Sequence, residues 1–230
     1  MNRDEYSLFK SNPEYTVHRF ETKEEWAKNR NLIRGIGGSD SAAAMGLSPW
    51  KTNVDLWRIK TGREEPEDIS NNPAVAYGTN AEESIRRMFQ LDYATKYNVE
   101  YVPNTILESN RYPHMLYSPD GLLEELGTMR TGVFEAKTST IHGNGNQWKD
   151  RIPQNYYIQV LHGMAVTNSQ FAVLRAWLRY SDEYVAVRTY HIERNEQVEE
   201  DIEYILKKVA EFWEYVEADK EPPLIIGGLI

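Results

Sequence analysis

An acid in a tight turn, followed by an acid and a lysine on one strand face, is the chemistry this sequence offers first. The stretch 118–137 reads SPDGLLEELGTMRTGVFEAK. It places Asp120 inside Ser118-Pro119-Asp120-Gly121 and, fifteen residues later, Glu135 and Lys137 inside a strand-like Val-Phe-Glu-Ala-Lys run. Side chains alternate faces along a strand, so Glu135 and Lys137 share a face while Phe134 and Ala136 point the other way. A hairpin closed near Gly127 brings Asp120 opposite Glu135. Two hard oxygen ligands beside an ammonium suit a metal-dependent phosphodiesterase. The carboxylates hold Mg²⁺, and the lysine orients water and offsets charge on the phosphorus centre. The same residues also make an ordinary hairpin, since Pro at the second turn position followed by Asp and Gly favours a β-turn anywhere.

The surrounding elements decide between these readings. Glu82 follows Tyr77-Gly78-Thr79 at the expected start of a helix whose Ile85, Met88 and Phe89 recur at helical spacing. Thr79-x-x-Glu82 matches a capping box, which makes Glu82 a structural partner of the helix start. The alternative aims Glu82 at the metal site as a further acid. Upstream, Arg34-Gly35-Ile36-Gly37-Gly38-Ser39-Asp40 enters a short helix with Ser39 or Asp40 as its cap. That is either a plain capped helix or a pocket for a phosphate. Asp40 stands where a dinucleotide fingerprint needs its third glycine. After Lys137 the run from Thr138 to Gln147 is expected as a mobile loop, in which His142 is a solvated side chain or a general base. Pro153 opens a helix with Ile158, Leu161 and Ala165 on one face and Tyr156, Gln159 and Gly163 on another.

Two hundred and thirty residues with 40% hydrophobic content are enough for a substantial core, and one domain over 1–230 is expected. Residues 1–25 are read as an arm, irregular as far as about residue 20 with a helix beginning near Glu21. An apolar tail over 222–230 should dock on the protein or on a neighbouring subunit. Residues 53–60 should form a helix with Val54, Trp57 and Ile59 inward, and 64–73 a loop. Strands are expected over 99–107, 114–117, 171–180 and 184–192. A last helix, 196–216, buries Val198, Ile202, Ile205, Val209, Phe212 and Val216. There is no cysteine, so thiol nucleophiles, disulfide frameworks and cysteine-ligated iron–sulfur clusters are excluded. No run reaches the length of a membrane span or of a signal-peptide core, which points to the cytoplasm.

The net charge of −9 argues at first against a nucleic-acid partner. Between Glu193 and Glu221, however, eleven acids face four bases, a balance of −7 that leaves only −2 elsewhere. A basic face drawn from residues such as Lys51, Lys60, Arg86 and Lys137 is therefore open to the rest of the chain.

Taken together and in order, Arg34-Gly-Ile-Gly-Gly-Ser-Asp, Gly78-Thr-x-x-Glu82, Ser118-Pro-Asp-Gly, Glu135-Ala-Lys137 and Pro153-x-x-Tyr-x-x-Gln159-Val resemble the YqaJ-type viral recombinase family, which includes lambda exonuclease. The similarity runs from about Trp26 to Thr167. It implies an α/β fold of the PD-(D/E)XK restriction-endonuclease type, a central mixed β-sheet flanked by helices. It also implies a 5′→3′ exonuclease acting on linear double-stranded DNA and leaving a 3′ single strand. By the same resemblance Asp120, Glu135 and the backbone carbonyl of Ala136 bind two Mg²⁺ ions, for which Mn²⁺ can substitute. Lys137 helps to activate water, and Glu82 and Gln159 complete the catalytic set. Ser39, Arg34 and Ser118 become candidates for holding a 5′-phosphate. Implied partners are DNA ends, a homotrimeric ring of the same chain and a phage single-strand annealing protein, in the cytoplasm of a bacterial host carrying the phage or prophage. A PD-(D/E)XK endonuclease and an idle DNA-end-binding module are the alternatives. In related bacterial recombination nucleases Gln-x-x-x-Tyr is common, whereas here Gly163 stands in the fourth place.

Overall fold

The computed structural model describes residues 7–69, 71–141, 147–149 and 151–226. The chain enters as a strand, β1 (Tyr15–Arg19), where the sequence suggests an irregular arm. Its ladder partner lies some ninety residues on, and no local pattern marks it. Thr22 caps helix α1 (Lys23–Leu32) by accepting from the Glu25 N–H. A two-residue strand β2 (Ile36–Gly37) leads into α2 (Gly38–Ala44). The cap of α2 is Gly37 rather than Ser39 or Asp40, and the Asp40 carboxylate accepts from the Gly37 N–H. In α3 (Asn53–Lys60) the buried side chains are Asn53, Leu56 and Trp57, so Leu56 rather than Val54 or Ile59 packs inward beside Trp57. Asn53 grips the chain end, donating to the Pro223 carbonyl at 2.9 Å and accepting from the Ile225 N–H at 3.0 Å. The part of the tail that is described thus docks on its own chain.

Helix α4 (Pro73–Asp92) begins earlier than its periodicity suggests. Asn72 caps it and Pro73 occupies the first turn, where a missing N–H costs nothing. The expected strand over 99–107 is two strands, β3 (Tyr97–Glu100) and β4 (Thr105–Ser109), which join different sheets. They are followed by β5 (Met115–Tyr117), β6 (Gly121–Glu125) and β7 (Thr131–Thr140). The strand β7 continues past Lys137 because Thr138, Ser139 and Thr140 keep pairing with 177–179, so the expected loop starts three residues later. His142 lies outside the described residues. Helix α5 (Gln154–Thr167), β8 (Phe171–Arg179), β9 (Val185–Glu193) and α6 (Glu196–Glu217) complete the chain.

Two mixed sheets result, ordered β1-β4-β5-β2 and β3-β6-β7-β8-β9. The only parallel pairs among the described strands are β2 with β5 and β7 with β8, the latter joined through α5. Along β7 and β8 the pleat sorts side chains to two cores. Val133, Ala172, Leu174 and Ala176 face α5 and α6 in the larger core. Phe134, Ala136, Phe171 and Val173 face Ala81, Ile85 and Phe89 of α4 in the smaller one. The expected stripe of α6 is buried in full, joined by Trp213.

Candidate active site

On the α5 face of β7 the alternation that gives Val133 next delivers Glu135 and then Lys137, so charge takes over where the apolar core ends. The hairpin closes through Gly127, at φ +86, and pairs Gly121 with Phe134. This register sets Asp120 beside the middle of β7, where its Oδ2 accepts the Ala136 N–H at 2.8 Å. Glu135, 2% exposed, is held by three donors. Lys137 Nζ and Gln159 Nε2 both donate to Oε1, at 2.7 Å and 2.5 Å, and the Tyr117 hydroxyl donates to Oε2 at 3.1 Å. Arg86 Nη1 donates to the Asp120 carbonyl at 3.1 Å while its guanidinium lies over the Tyr101 ring.

Glu82 sits in the interior of α4, ten positions after the cap Asn72, so the capping-box reading of Thr79-x-x-Glu82 fails. It lines the same groove as Asp120, Glu135, Lys137 and Gln159. Burial raises the Glu82 carboxyl above its ordinary range, and Glu135 adds to the rise against the pull of Lys137. Burial likewise pushes Asp120 well up, with the charges of Glu135 and Glu82 adding to it. Burial works against the Lys137 ammonium, but Glu135 and Asp120 outweigh it and hold its pKa above the usual lysine value.

Among the described residues no three acidic or histidine side chains by themselves form a closed metal cage. Asp120 and Glu135, with the backbone carbonyl of Ala136 next to Glu135, are the groups that could hold a divalent cation. Beyond burial, the repulsion from Glu135 that adds to the rise at Asp120 and Glu82 is what a bound cation would relieve.

The groove measures about 780 Å³ and has a second, cationic end. There Arg30 Nη2 donates to the Ser39 hydroxyl at 3.0 Å. Lys60 and Lys51 lie 2.9 Å and 3.6 Å from the Asp40 carboxylate. Burial opposes the Asp40 charge, yet Lys60, Arg30 and Lys51 bring its pKa down to about 2. Ser39 and Ser118 line the groove; Arg34 does not, its guanidinium lying 5.8 Å over the Trp213 ring.

Residues 25–170 match the profile of the YqaJ-like viral recombinase domain. The chain belongs to this family. A curated relative, the uncharacterized protein YqaJ of Bacillus subtilis strain 168, is 28% identical over 213 residues, covering 90% of this chain. The chain spans 60% of that relative's length. Among solved structures, the alkaline exonuclease LHK-Exo of Laribacter hongkongensis superposes with a TM-score of 0.61 at 20% identity. The match covers 85% of this chain and 95% of that one. The structure of LHK-Exo in complex with dAMP matches equally well. The family model establishes the family, and the structural likeness establishes a fold shared with the alkaline exonuclease.

In this YqaJ-like domain neither Arg30 nor Tyr117 is marked by any motif in the sequence, and Arg86 enters there only as part of a basic face. Arg86 carried a readable signal, since it stands four residues after Glu82 and shares its helix face. Arg30 is nine positions from Ser39 and meets it only because α1 and α2 fold together.

Proposed function

We propose that this YqaJ-like domain is a Mg²⁺-dependent nuclease that degrades one strand of linear duplex DNA from the 5′ end. The observation that carries the reading is the convergence of Asp120, Glu135, Lys137 and Gln159 in one groove whose other end gathers Arg30, Lys60 and Ser39. When bound, Mg²⁺ supplies Lewis-acid polarisation of the scissile phosphate and a nucleophilic water at neutral pH. Asp120, Glu135 and the Ala136 carbonyl are the groups that would hold it, in a two-ion arrangement by family analogy. Lys137, held as an ammonium by Glu135, orients the attacking water and offsets charge developing on the phosphate oxygens. Gln159 fixes the Glu135 carboxylate from α5, and Glu82 adds a third negative charge.

The Arg30–Ser39 pair is the better candidate for a terminal phosphate, in place of Arg34. An arginine fork and a hydroxyl suit phosphate oxygens, and Asp40 is already neutralised by Lys60 and Lys51. A homotrimer enclosing the duplex and an annealing-protein partner belong to the same proposal.

Linear duplex bearing a 5′-phosphate or a 5′-hydroxyl, and closed circular duplex, each incubated with and without Mg²⁺, form the test. Nucleotide release should require Mg²⁺ and a free end and should be fastest with the 5′-phosphate. Lys137→Ala and Asp120→Ala should each lose at least about 100-fold in rate while folding normally. Cutting of the closed circle would make the protein an endonuclease, and no Mg²⁺-dependent release from any substrate would make it a binding module. Arg30→Ala should erase the preference for the 5′-phosphate.

A further inference from the structure

Tyr117 is the one neutral donor on Glu135 that arrives from the smaller sheet. It is 2% exposed, lies in β5 and pairs with Leu107 of β4, yet its hydroxyl crosses to the Oε2 of a glutamate in the larger sheet. One glycine makes that crossing possible. A Cβ at Gly163 on α5 would come within 2.6 Å of the Tyr117 Cζ, closer than packed atoms approach. Gly163 stands four residues after Gln159, so the two share a face of α5. The Tyr117 ring lies where a side chain at 163 would project, and its hydroxyl meets the same carboxylate that Gln159 meets from the other oxygen.

Counting lone pairs shows what this does. A carboxylate oxygen has two acceptor sites. Lys137 and Gln159 fill both on Oε1, and Tyr117 fills one on Oε2. The acceptor site that remains is on Oε2, and the Tyr117 hydroxyl fixes the direction in which it points. We propose that Tyr117 is a positioning residue for the metal site, aiming the remaining Oε2 lone pair of Glu135 at the cation, and that Gly163 is the vacancy that admits its ring. The inference rests on the nuclease reading for the identity of the cation, and on the contacts alone for the geometry.

Tyr117→Phe keeps the ring and removes only the hydroxyl, so it is the decisive variant. Outer-sphere partners of metal ligands contribute about 10-fold to 100-fold in metal affinity. Titration calorimetry of Mn²⁺ into the metal-free protein should show the dissociation constant rising about 10-fold in Tyr117→Phe, with an unfolding midpoint close to that of the wild type. The Mg²⁺ concentration giving half-maximal nuclease rate should rise in step, with KM for DNA unchanged. Gly163→Ala, which displaces the ring, should weaken Mn²⁺ binding at least as much. Wild-type Mn²⁺ affinity in Tyr117→Phe overturns the proposal. Failure of the nuclease reading is a separate result, read from wild-type protein that binds Mn²⁺ but releases no nucleotide.

Discussion

A carboxylate crowded against two others, in a place water reaches poorly, costs free energy until a cation arrives. Asp120 is in that position: burial, Glu135 and Glu82 all favour its protonated form. Because its folded pKa lies above the unfolded value, its contribution to stability is present in acid and is lost as pH rises through the folded pKa. At neutral pH without metal, Asp120 therefore works against the fold. Asp120→Asn, which can keep the Ala136 hydrogen bond, should stabilise the metal-free protein by about 1 kcal/mol while abolishing activity. Thermal unfolding with and without Mg²⁺ reads this directly. The wild type should gain stability on adding the ion and the variant should gain little.

Helix α5 is tied to its surroundings by a group whose pKa shifts the other way. His162 is fully buried, accepts the Ser41 hydroxyl of α2 at its Nδ1, 2.6 Å away, and donates from Nε2 to the Leu116 carbonyl of β5 at 2.9 Å. Burial brings its pKa down to about 4. The unfolded chain takes up the proton near pH 6.5, the folded chain only near 4, so stability present above 6.5 drains away as pH falls through that window. The loss should approach about 3 kcal/mol at the acid end, seen as a fall in the urea midpoint between pH 7.5 and pH 4.5. Helix α4 makes a different test. Asn72→Ala should cost about 1 kcal/mol because Asn72 is the cap, whereas Thr79→Ala, inside the helix, should cost little.

Such elements show what the sequence can and cannot disclose. The β6–β7 hairpin is legible because turn chemistry and period-2 alternation agree, and α6 because its apolar stripe never breaks register. The start of α4 misleads because a capping-box pattern recurs by chance inside a helix already begun at Asn72-Pro73. The strand β1 is invisible because its partner β4 is far along the chain. In the candidate site, turn chemistry and strand alternation make Asp120, Glu135 and Lys137 candidates, and the family resemblance adds Gln159. The meeting of Tyr117 with Gly163 is a property of two packed elements and is written in neither.

At the scale of the whole molecule, the net charge of −9 coexists with a groove carrying Lys23, Arg30, Lys60, Arg86 and Lys137. Binding to linear duplex should weaken steeply with added salt, each neutralised phosphate contributing a slope of about −0.9 in log affinity against log salt concentration. Arg30→Ala should flatten that slope by about one unit in a fluorescence-anisotropy titration.

The two cores on opposite faces of the larger sheet have a consequence for how the protein fails. Glu82 is carried by a helix seated on the smaller core, Gln159 by a helix seated on the larger, and Glu135 belongs to the strand between them. The acidic cluster thus depends on the packing on both faces of one sheet, and loosening either face opens it. Rising temperature should silence the protein before it unfolds, with nuclease rate falling some degrees below the point at which the helical signal collapses.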